Sequence, residues 1–394
     1  MNHRIAILGS TGSIGCSALQ VIEHLGEPYR ATGLGAHSRL EQLVQQVRRH
    51  RPTAVVVTGE DADEAALRQI ADCGAELYRG SQGMCRLVER DDVDVVLAAV
   101  VGAAGLPAVL ATVKAGKRLA LANKESLVVA GSLVIPEARR SGAEIIPVDS
   151  EHSAIFQALQ CGRRDQVQRV ILTASGGPFR NATAGQMHNA TLQDALNHPT
   201  WRMGNKNTID SATLFNKGLE LIEACWLFDL PPEQIEIVIH PESVIHSMVE
   251  FVDGSVLAQL SPPDMRMPIQ YAITYPNRLR GSTKRLNLAE PFQFRFQPPD
   301  VDRFPAVRIA YDVARRGGTL GAVMNAANEE AVAAFCGGKI AFGEISRAVE
   351  LTIEAHRLQP SPTLDDLLEA DRWAREAVAG LLAESKLRKF AHAP

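Results

Sequence analysis

The 394 residues are 46% hydrophobic and 22% charged, with 41 Lys and Arg against 45 Asp and Glu and a formal net charge of −4. That is the composition of a globular chain long enough for two or three domains. The slight acidic excess excludes a dominant nucleic-acid surface, although it leaves room for a local basic pocket.

In chain order, apolar runs at 4–8, 29–34, 54–57, 93–99, 118–122 and 144–148 predict strands. Amphipathic segments such as 17–24, 39–49 and 107–115 predict helices between them. Alternation of that kind implies a parallel, doubly wound (Rossmann-like) sheet buried on both faces. No targeting segment is expected, because the first residues lead directly into a strand. Residues 95–113 carry no charge, but Gly102, Gly105 and Pro107 break them. A buried strand, a turn and a helix start explain the run better than a membrane span.

Beyond residue 148 the pattern changes. Candidate strands at 169–173, 236–239, 247–251 and 255–260, with Asp253-Gly254 as a hairpin turn, predict an α+β catalytic domain. Residues 276–305 are rich in Pro, Arg and Phe and read as a long connection. Helical periodicity at 306–315, 320–335, 342–356 and 364–382 predicts a C-terminal helical bundle. The expected division is 1–149 for cofactor binding, 150–275 for catalysis, a linker over 276–305 and a helical domain over 306–394. The six cysteines (Cys16, Cys73, Cys85, Cys161, Cys225, Cys336) form no Cys-x-x-Cys pair. They read as small buried hydrophobes of a reducing compartment.

Gly9-Ser-Thr-Gly12-Ser-Ile-Gly15 follows the first strand and opens a helix. Glycines there let the backbone approach a pyrophosphate, and the helix N-terminus supplies amides to bind it. Where NAD enzymes usually hold an acid, at the end of the second strand, this chain has Ser38 and Arg39. An acid would repel a 2′-phosphate and Arg can clasp it, so NADPH is the expected cofactor.

Asp149 and Glu151 follow the sixth strand. If the backbone stays extended they share a face, with Ser150 opposite, and their oxygens suit Mg²⁺ or Mn²⁺ better than zinc; a helix-start cap is the alternative. Lys124, in Ala122-Asn-Lys-Glu-Ser126, would reach the same sheet edge for proton transfer or charge stabilisation. Ser175 and its neighbouring glycines could contact phosphate. His198-Pro-Thr-Trp201-Arg-Met203-Gly204 reads as a loop, near 197–207, whose Trp201 and Met203 are unusual in an exposed segment unless they close over a substrate. Ser211, Asn216, Lys217 and Glu220 fall mostly at helical spacing; the first three suit a phosphate, and Glu220 could complete a metal shell.

These strings, together with Ile239-His-Pro-Glu-Ser-Val-Ile-His246, Pro263-Asp-Met-Arg266 and Asn325-Ala-Ala-Asn-Glu-Glu330, resemble the 1-deoxy-D-xylulose 5-phosphate reductoisomerase family in order along the chain. The resemblance implies conversion of that sugar phosphate to 2-C-methyl-D-erythritol 4-phosphate with NADPH and Mg²⁺ or Mn²⁺. It implies metal ligation by Asp149, Glu151 and Glu220, and phosphate contacts from Ser175, Ser211, Asn216 and Lys217. Lys124 and Ser150 would contact substrate oxygens. His198, Trp201 and Met203 would form a flexible lid. Lys124, Glu151 and His198 are the candidate catalytic residues. Thr11, Gly12, Ser13, Ile14, Ser38, Arg39, Asn123, Glu125 and Gly204 are the candidate cofactor contacts. The resemblance also implies a homodimer; the charge balance, the broken apolar run and the cysteine usage lead us to expect a cytoplasmic chain with no nucleic-acid or membrane partner. Thr200, Arg202, Asn207 and Leu214-Phe215 depart from the family pattern. A sugar-phosphate or semialdehyde dehydrogenase without rearrangement, and a non-catalytic NADPH sensor, are the rival readings.

Overall fold

The computed structural model describes residues 3–289 and 293–383. Parts of the expected linker (290–292) and of the C-terminal domain (384–394) lie outside the described residues. The chain divides into two compact units. The first comprises the described residues of Met1–Ser126, Val134–Phe156 and Asp264–Arg285; the second, those of Leu127–Leu133, Gln157–Pro263 and Leu286–Pro394.

The first unit is built on seven parallel strands: β1 (His3–Leu8), β2 (Tyr29–Ala36), β3 (Ala54–Val57), β4 (Glu76–Arg79), β5 (Val95–Ala98), β6 (Arg118–Leu121) and β7 (Ile145–Pro147). Their order is β4-β3-β2-β1-β5-β6-β7. The chain winds outward from β1 to β4, returns to β5 beside β1, and winds outward the other way. Ligands of such sheets bind at the carboxyl ends of the strands where the order reverses, here β1 and β5. Alternation along β1 serves two cores: Ile5 and Ile7 join one apolar cluster, and Ala6 and Leu8 the other. That two-sided burial is why the strands read as solid apolar runs. Each such large side chain contributes about 1.5–3 kcal/mol relative to exposure. The sequence reading missed β4 because Glu76-Leu-Tyr-Arg79 is an edge strand with no buried residue.

The second unit carries a mixed sheet, β8 (Val167–Ala174), β9 (Ile235–Ile239), β10 (Ile245–Phe251) and β11 (Val256–Leu260), in the order β11-β10-β8-β9. β8 and β9 are parallel, and β10 runs antiparallel to β8 and β11. The β10–β11 hairpin turns at Gly254, φ +84°, a conformation that favours glycine. Helices Pro305–Arg316, Leu320–Cys336, Glu344–Ala355 and Leu364–Ala383 complete the expected bundle. The fold is therefore α/β, with a doubly wound sheet, an α+β region and a helical C-terminal part. No helix among the described residues is long and apolar enough to cross a membrane; residues 95–113 are divided among β5, a turn and the helix Leu106–Lys114.

Two expectations need correction. The backbone after β7 is not extended: Ser150–Leu159 is a helix. The cysteines are not fully buried: Cys73, Cys161 and Cys336 are exposed and the other three half-buried, Cys85 among them packing against an apolar cluster.

Candidate active site

In the first unit, the turn from β1 into the helix Ser13–Leu25 is packed against itself. A Cβ on Gly15 would lie 2.3 Å from the Gly9 carbonyl oxygen, and one on Gly9 2.5 Å from that of Ala99. Gly12 differs, because its Cβ would meet only the Gly9 oxygen, at 3.3 Å. Gly9 and Gly15 are thus demanded by the fold, whereas Gly12 leaves backbone open to a ligand. Gln46, from the helix Leu40–His50, braces the turn: its amide donates to the Ser10 carbonyl (2.9 Å) and accepts from the Ser10 hydroxyl (2.7 Å). A cavity of about 230 Å³ is lined in part by Thr11, Gly12, His37, Ser38, Arg39 and Val101. Arg39 Nη1 donates to the Thr11 carbonyl at 2.8 Å, joining the two segments expected to hold the dinucleotide. Ser13 is exposed, and Ile14 packs partly against the core.

Asn123 is a clamp between strand ends. Its amide nitrogen donates to the carbonyls of Val100 and Gly102 (2.9 Å for Gly102), and its oxygen accepts from the Ser126 amide at 3.0 Å. Glu125 lies 3.3 Å from the same amide nitrogen. The neighbouring Lys124 places Nζ 2.6 Å from Asp149 Oδ2, with 8% and 15% of the two side chains exposed. Asp149 Oδ1 accepts from the Glu151 amide at 3.2 Å and lies 3.6 Å from His152 Nδ1. Asp149 therefore caps a helix start, the alternative reading of that pair, and Ser150 and Glu151 stand side by side in the first turn, linked by a hydrogen bond from Ser150 Oγ to Glu151. Sequence reasoning gave no role to His152, fully buried. Its i, i+3 spacing from Asp149 would have revealed it once a helix was assumed.

In the second unit, two predicted hydroxyls meet around the imidazole of a third predicted residue. His198 Nε2 lies 3.0 Å from Ser175 Oγ and 3.1 Å from Ser211 Oγ. Its Nδ1 accepts from the amides of Thr200 and Trp201, at 3.1 and 2.8 Å. Two donors on Nδ1 place the proton of the neutral ring on Nε2, an assignment made from the hydrogen-bond pattern. Burial pushes the His198 pKa down to about 4, so the ring is neutral at pH 7. Ser175 lies at the end of β8, and its hydroxyl also accepts from Gly177 N at 3.2 Å. Ser211 comes from the helix Asn205–Thr213, capped by Gly204.

Leu214, φ +63°, ends that helix and starts another, Phe215–Phe228. There Asn216 and Lys217 each donate to one carboxylate oxygen of Glu220, and Lys217 and Glu220 are almost fully buried. Asn216 and Glu220 share a helical face as expected, whereas Ser211 lies on a separate helix joined to theirs at a left-handed residue. The loop 198–204 is irregular as expected, but Trp201 and Met203 are half-buried, not exposed. The Trp201 ring lies 6.2 Å from that of His246 on β10, which holds the loop down. Sequence reasoning also missed buried Asp210, which accepts from Asn328 Nδ2 at 2.8 Å and pairs with Lys206.

A doubly wound parallel sheet with an open glycine turn beside a basic strand end defines a nicotinamide-dinucleotide-dependent oxidoreductase. Comparison with known proteins narrows the class. Residues 5–131 match the family model for 1-deoxy-D-xylulose 5-phosphate reductoisomerase, 145–228 that for its C-terminal domain, and 260–377 that for the DXP reductoisomerase C-terminal domain. The reductoisomerase of Gloeobacter violaceus is 50% identical over 391 residues, covering 98% of this chain and 99% of that one. That of Chlorobium phaeobacteroides is 50% identical over 378 residues, 96% and 98% of the two chains. A crystal structure of DOX-P reductoisomerase with NADPH, fosmidomycin and magnesium superposes with TM-score 0.93 at 39% identity, covering 98% and 99%. The Zymomonas mobilis reductoisomerase with NADPH gives 0.91 at 42% identity, covering 97% and 99%. The chain belongs to the 1-deoxy-D-xylulose 5-phosphate reductoisomerase family and is of its oxidoreductase-isomerase class.

Proposed function

We infer that the protein converts 1-deoxy-D-xylulose 5-phosphate to 2-C-methyl-D-erythritol 4-phosphate, a step toward isoprenoid precursors, with NADPH and Mg²⁺ or Mn²⁺. The observation that carries this is 50% identity over 98% of the chain to a reductoisomerase. Neither a dehydrogenase without rearrangement nor a non-catalytic NADPH sensor is favoured beside that match.

Asp149, Glu151 and Glu220 hold the cation in this reading. Their donors are all carboxylate oxygens, the set that Mg²⁺ and Mn²⁺ take. Lys124 on Asp149 and Lys217 on Glu220 supply countercharge to two of the three. When bound, the metal supplies Lewis-acid stabilisation of developing oxyanions and NADPH supplies hydride. The chain's own groups do the rest. Lys124, Glu151 and Ser150 contact the substrate's oxygens, and Lys124 places its ammonium where negative charge develops. Neutral His198 donates Nε2–H alongside the Ser175 and Ser211 hydroxyls to phosphate oxygens, with Asn216 and Lys217 adding donors. Trp201 and Met203 exclude water. Thr11, Gly12, Ser13 and Ile14, at the turn and helix start, receive the pyrophosphate, and Ser38 and Arg39 the 2′-phosphate. Asn123, Glu125 and Gly204 complete the cofactor contacts.

The functional division follows 1–149, 150–275, 276–305 and 306–394. The protein works in the cytoplasm as a homodimer. The dimer reading is supported by β11, an edge strand that leaves Val256, Leu257 and Leu260 exposed, which an isolated chain would have to protect from pairing. The deciding experiment follows NADPH absorbance with 1-deoxy-D-xylulose 5-phosphate, with and without EDTA, and identifies the product by NMR. Oxidation that persists in EDTA, or an unbranched product, would overturn the reading.

A further inference from the structure

Ser175 and its glycines are held by a residue remote in sequence. The segment that leads into the helix Pro305–Arg316 is stitched to the end of β9: the amides of Ile239 and Gln297 each donate to the other's carbonyl, at 2.8 and 3.1 Å. It then folds into a turn in which Phe304 N donates to the Asp300 carbonyl (2.9 Å) and Arg303 N to Asp300 Oδ1 (3.0 Å). The turn aims the Arg303 guanidinium at the loop after β8. Nη1 donates to the Ala182 carbonyl and Nη2 to that of Arg180 (3.2 Å), while Nε is fixed by Asp300 Oδ2 at 2.7 Å. The Phe304 ring lies 5.3 Å from the guanidinium.

Arg180 passes the restraint on. Its Nη1 lies 3.4 Å from the Ser175 carbonyl, and its side chain packs where a Cβ on Gly176 would lie, 3.0 Å away. On the far side, a Cβ on Gly177 would sit 2.6 Å from the Ser211 carbonyl. The loop is wedged between Arg303 and the helix that carries Ser211, so its position sets the spacing of the two hydroxyls that flank His198.

We propose that Arg303 is a positioning residue for the substrate phosphate: by bonding the Ala182 and Arg180 carbonyls it fixes the 175–182 loop, and through it the place of Ser175 against His198 and Ser211. Arg303 touches neither substrate nor cofactor. The proposal rests on the reading that Ser175, His198 and Ser211 bind the phosphate. A planar, five-donor guanidinium can hold two carbonyls and a carboxylate together, and an ammonium cannot.

The test compares Arg303→Gln, Arg303→Lys and Ser175→Ala in the full-length enzyme. It measures KM and kcat for 1-deoxy-D-xylulose 5-phosphate, the inhibition constant of inorganic phosphate, NADPH affinity and melting temperature. Arg303→Gln should raise KM and the phosphate inhibition constant together, by about tenfold, as loss of charge-assisted hydrogen bonds to the loop implies. kcat should change less than about threefold, with NADPH affinity kept. Arg303→Lys should recover only part of the loss. A fall in kcat at constant KM, equal loss of NADPH and phosphate binding with a lowered melting temperature, or full rescue by Lys would overturn the proposal. Should Ser175→Ala leave both phosphate constants unchanged while Arg303→Gln raises them, the assignment of the phosphate to Ser175 fails and the proposed route through Ser175 fails with it; should Ser175→Ala raise them and Arg303→Gln not, the phosphate assignment stands and the proposal alone falls.

Discussion

The backbone amide of Trp201 donates to Nδ1 of His198 at 2.8 Å, so the loop that carries the indole also sets the tautomer of the imidazole beside Ser175 and Ser211. Burial holds that ring's pKa near 4 against the usual 6.5. The sign follows from linkage. Below about pH 6.5 the unfolded chain takes up a proton that the folded chain refuses until about pH 4, so the contribution to stability is complete above 6.5 and is lost as pH falls toward 4. Urea unfolding at pH 7.0 and 4.5 should show a smaller loss of stability for His198→Gln than for the wild type. An equal loss in both would place the titrating group elsewhere.

Gly12 and Gly15 sit in one turn but answer to different demands. Alanine at Gly15 would drive a methyl to 2.3 Å from the Gly9 carbonyl and 2.5 Å from Ser10 Cα, which backbone must absorb. Gly15→Ala is expected to lower stability by about 1–3 kcal/mol, as overpacking does. Gly12→Ala meets one atom at 3.3 Å and should melt nearly as the wild type does, yet bind NADPH at least about tenfold more weakly, because the methyl fills the approach to the pyrophosphate. Melting curves and NADPH fluorescence titrations separate the two. A Gly12→Ala protein with undiminished NADPH affinity would refute the cofactor placement.

Glu151 lies in the first turn of its helix, next to Ser150 and joined to Asp149 through its own amide. Replacing its side chain leaves that amide bond intact, so Glu151→Ala should keep the fold. Turnover should drop by at least about 100-fold, more than loss of a supporting contact to a metal ligand costs. NADPH affinity should stay within twofold, since no cofactor contact is removed. Near-normal activity in this variant would remove Glu151 from the metal shell.

How far these residues were legible depended on the range of the interactions that place them. The solid apolar strands, the glycine turn and the four C-terminal helices 305–316, 320–336, 344–355 and 364–383 declare themselves locally, through period and turn chemistry. Edge strand β4 does not, because none of its four residues is fully buried and two charged ones flank its half-buried pair. The helix start at Ser150 was hidden because an aspartate at position 149 suits a helix cap as well as a metal ligand. Leu214 was hidden too, since a buried leucine in the left-handed region is held there by its surroundings and not by its own preference. Contacts such as Asn328 to Asp210 or Arg303 to Ala182 span more than a hundred residues and leave no local pattern.

Arg39 tests the choice between the two nicotinamide dinucleotides. It is exposed at the end of β2, lines the cavity beside Gly12, and its Nη1 bonds the Thr11 carbonyl. Arg39→Ala would remove both a cation for the 2′-phosphate and a brace on the turn. The brace matters to NADH and NADPH alike, and the cation only to NADPH. Assays with each should therefore show kcat/KM for NADPH falling about tenfold further than for NADH. Equal falls would leave Arg39 a structural part of the turn alone.

Thiol chemistry offers a readout independent of catalysis. Burial, with the Glu233 charge added, pushes the Cys225 thiol up to about 12, whereas Cys73 and Cys161 are exposed. The thiolate is the reactive form, so at pH 8 Cys225 presents almost none of it. Ellman's reagent should modify Cys73 and Cys161 within minutes and reach Cys225 only after denaturation, with the order read from mass spectra of labelled peptides. Unfolding exposes the thiol to water and returns it to its ordinary acidity, so its reaction should report on opening of the helix Phe215–Phe228 that carries Glu220. Rapid labelling of Cys225 in the native enzyme would mean that this helix opens far more readily than its buried face implies.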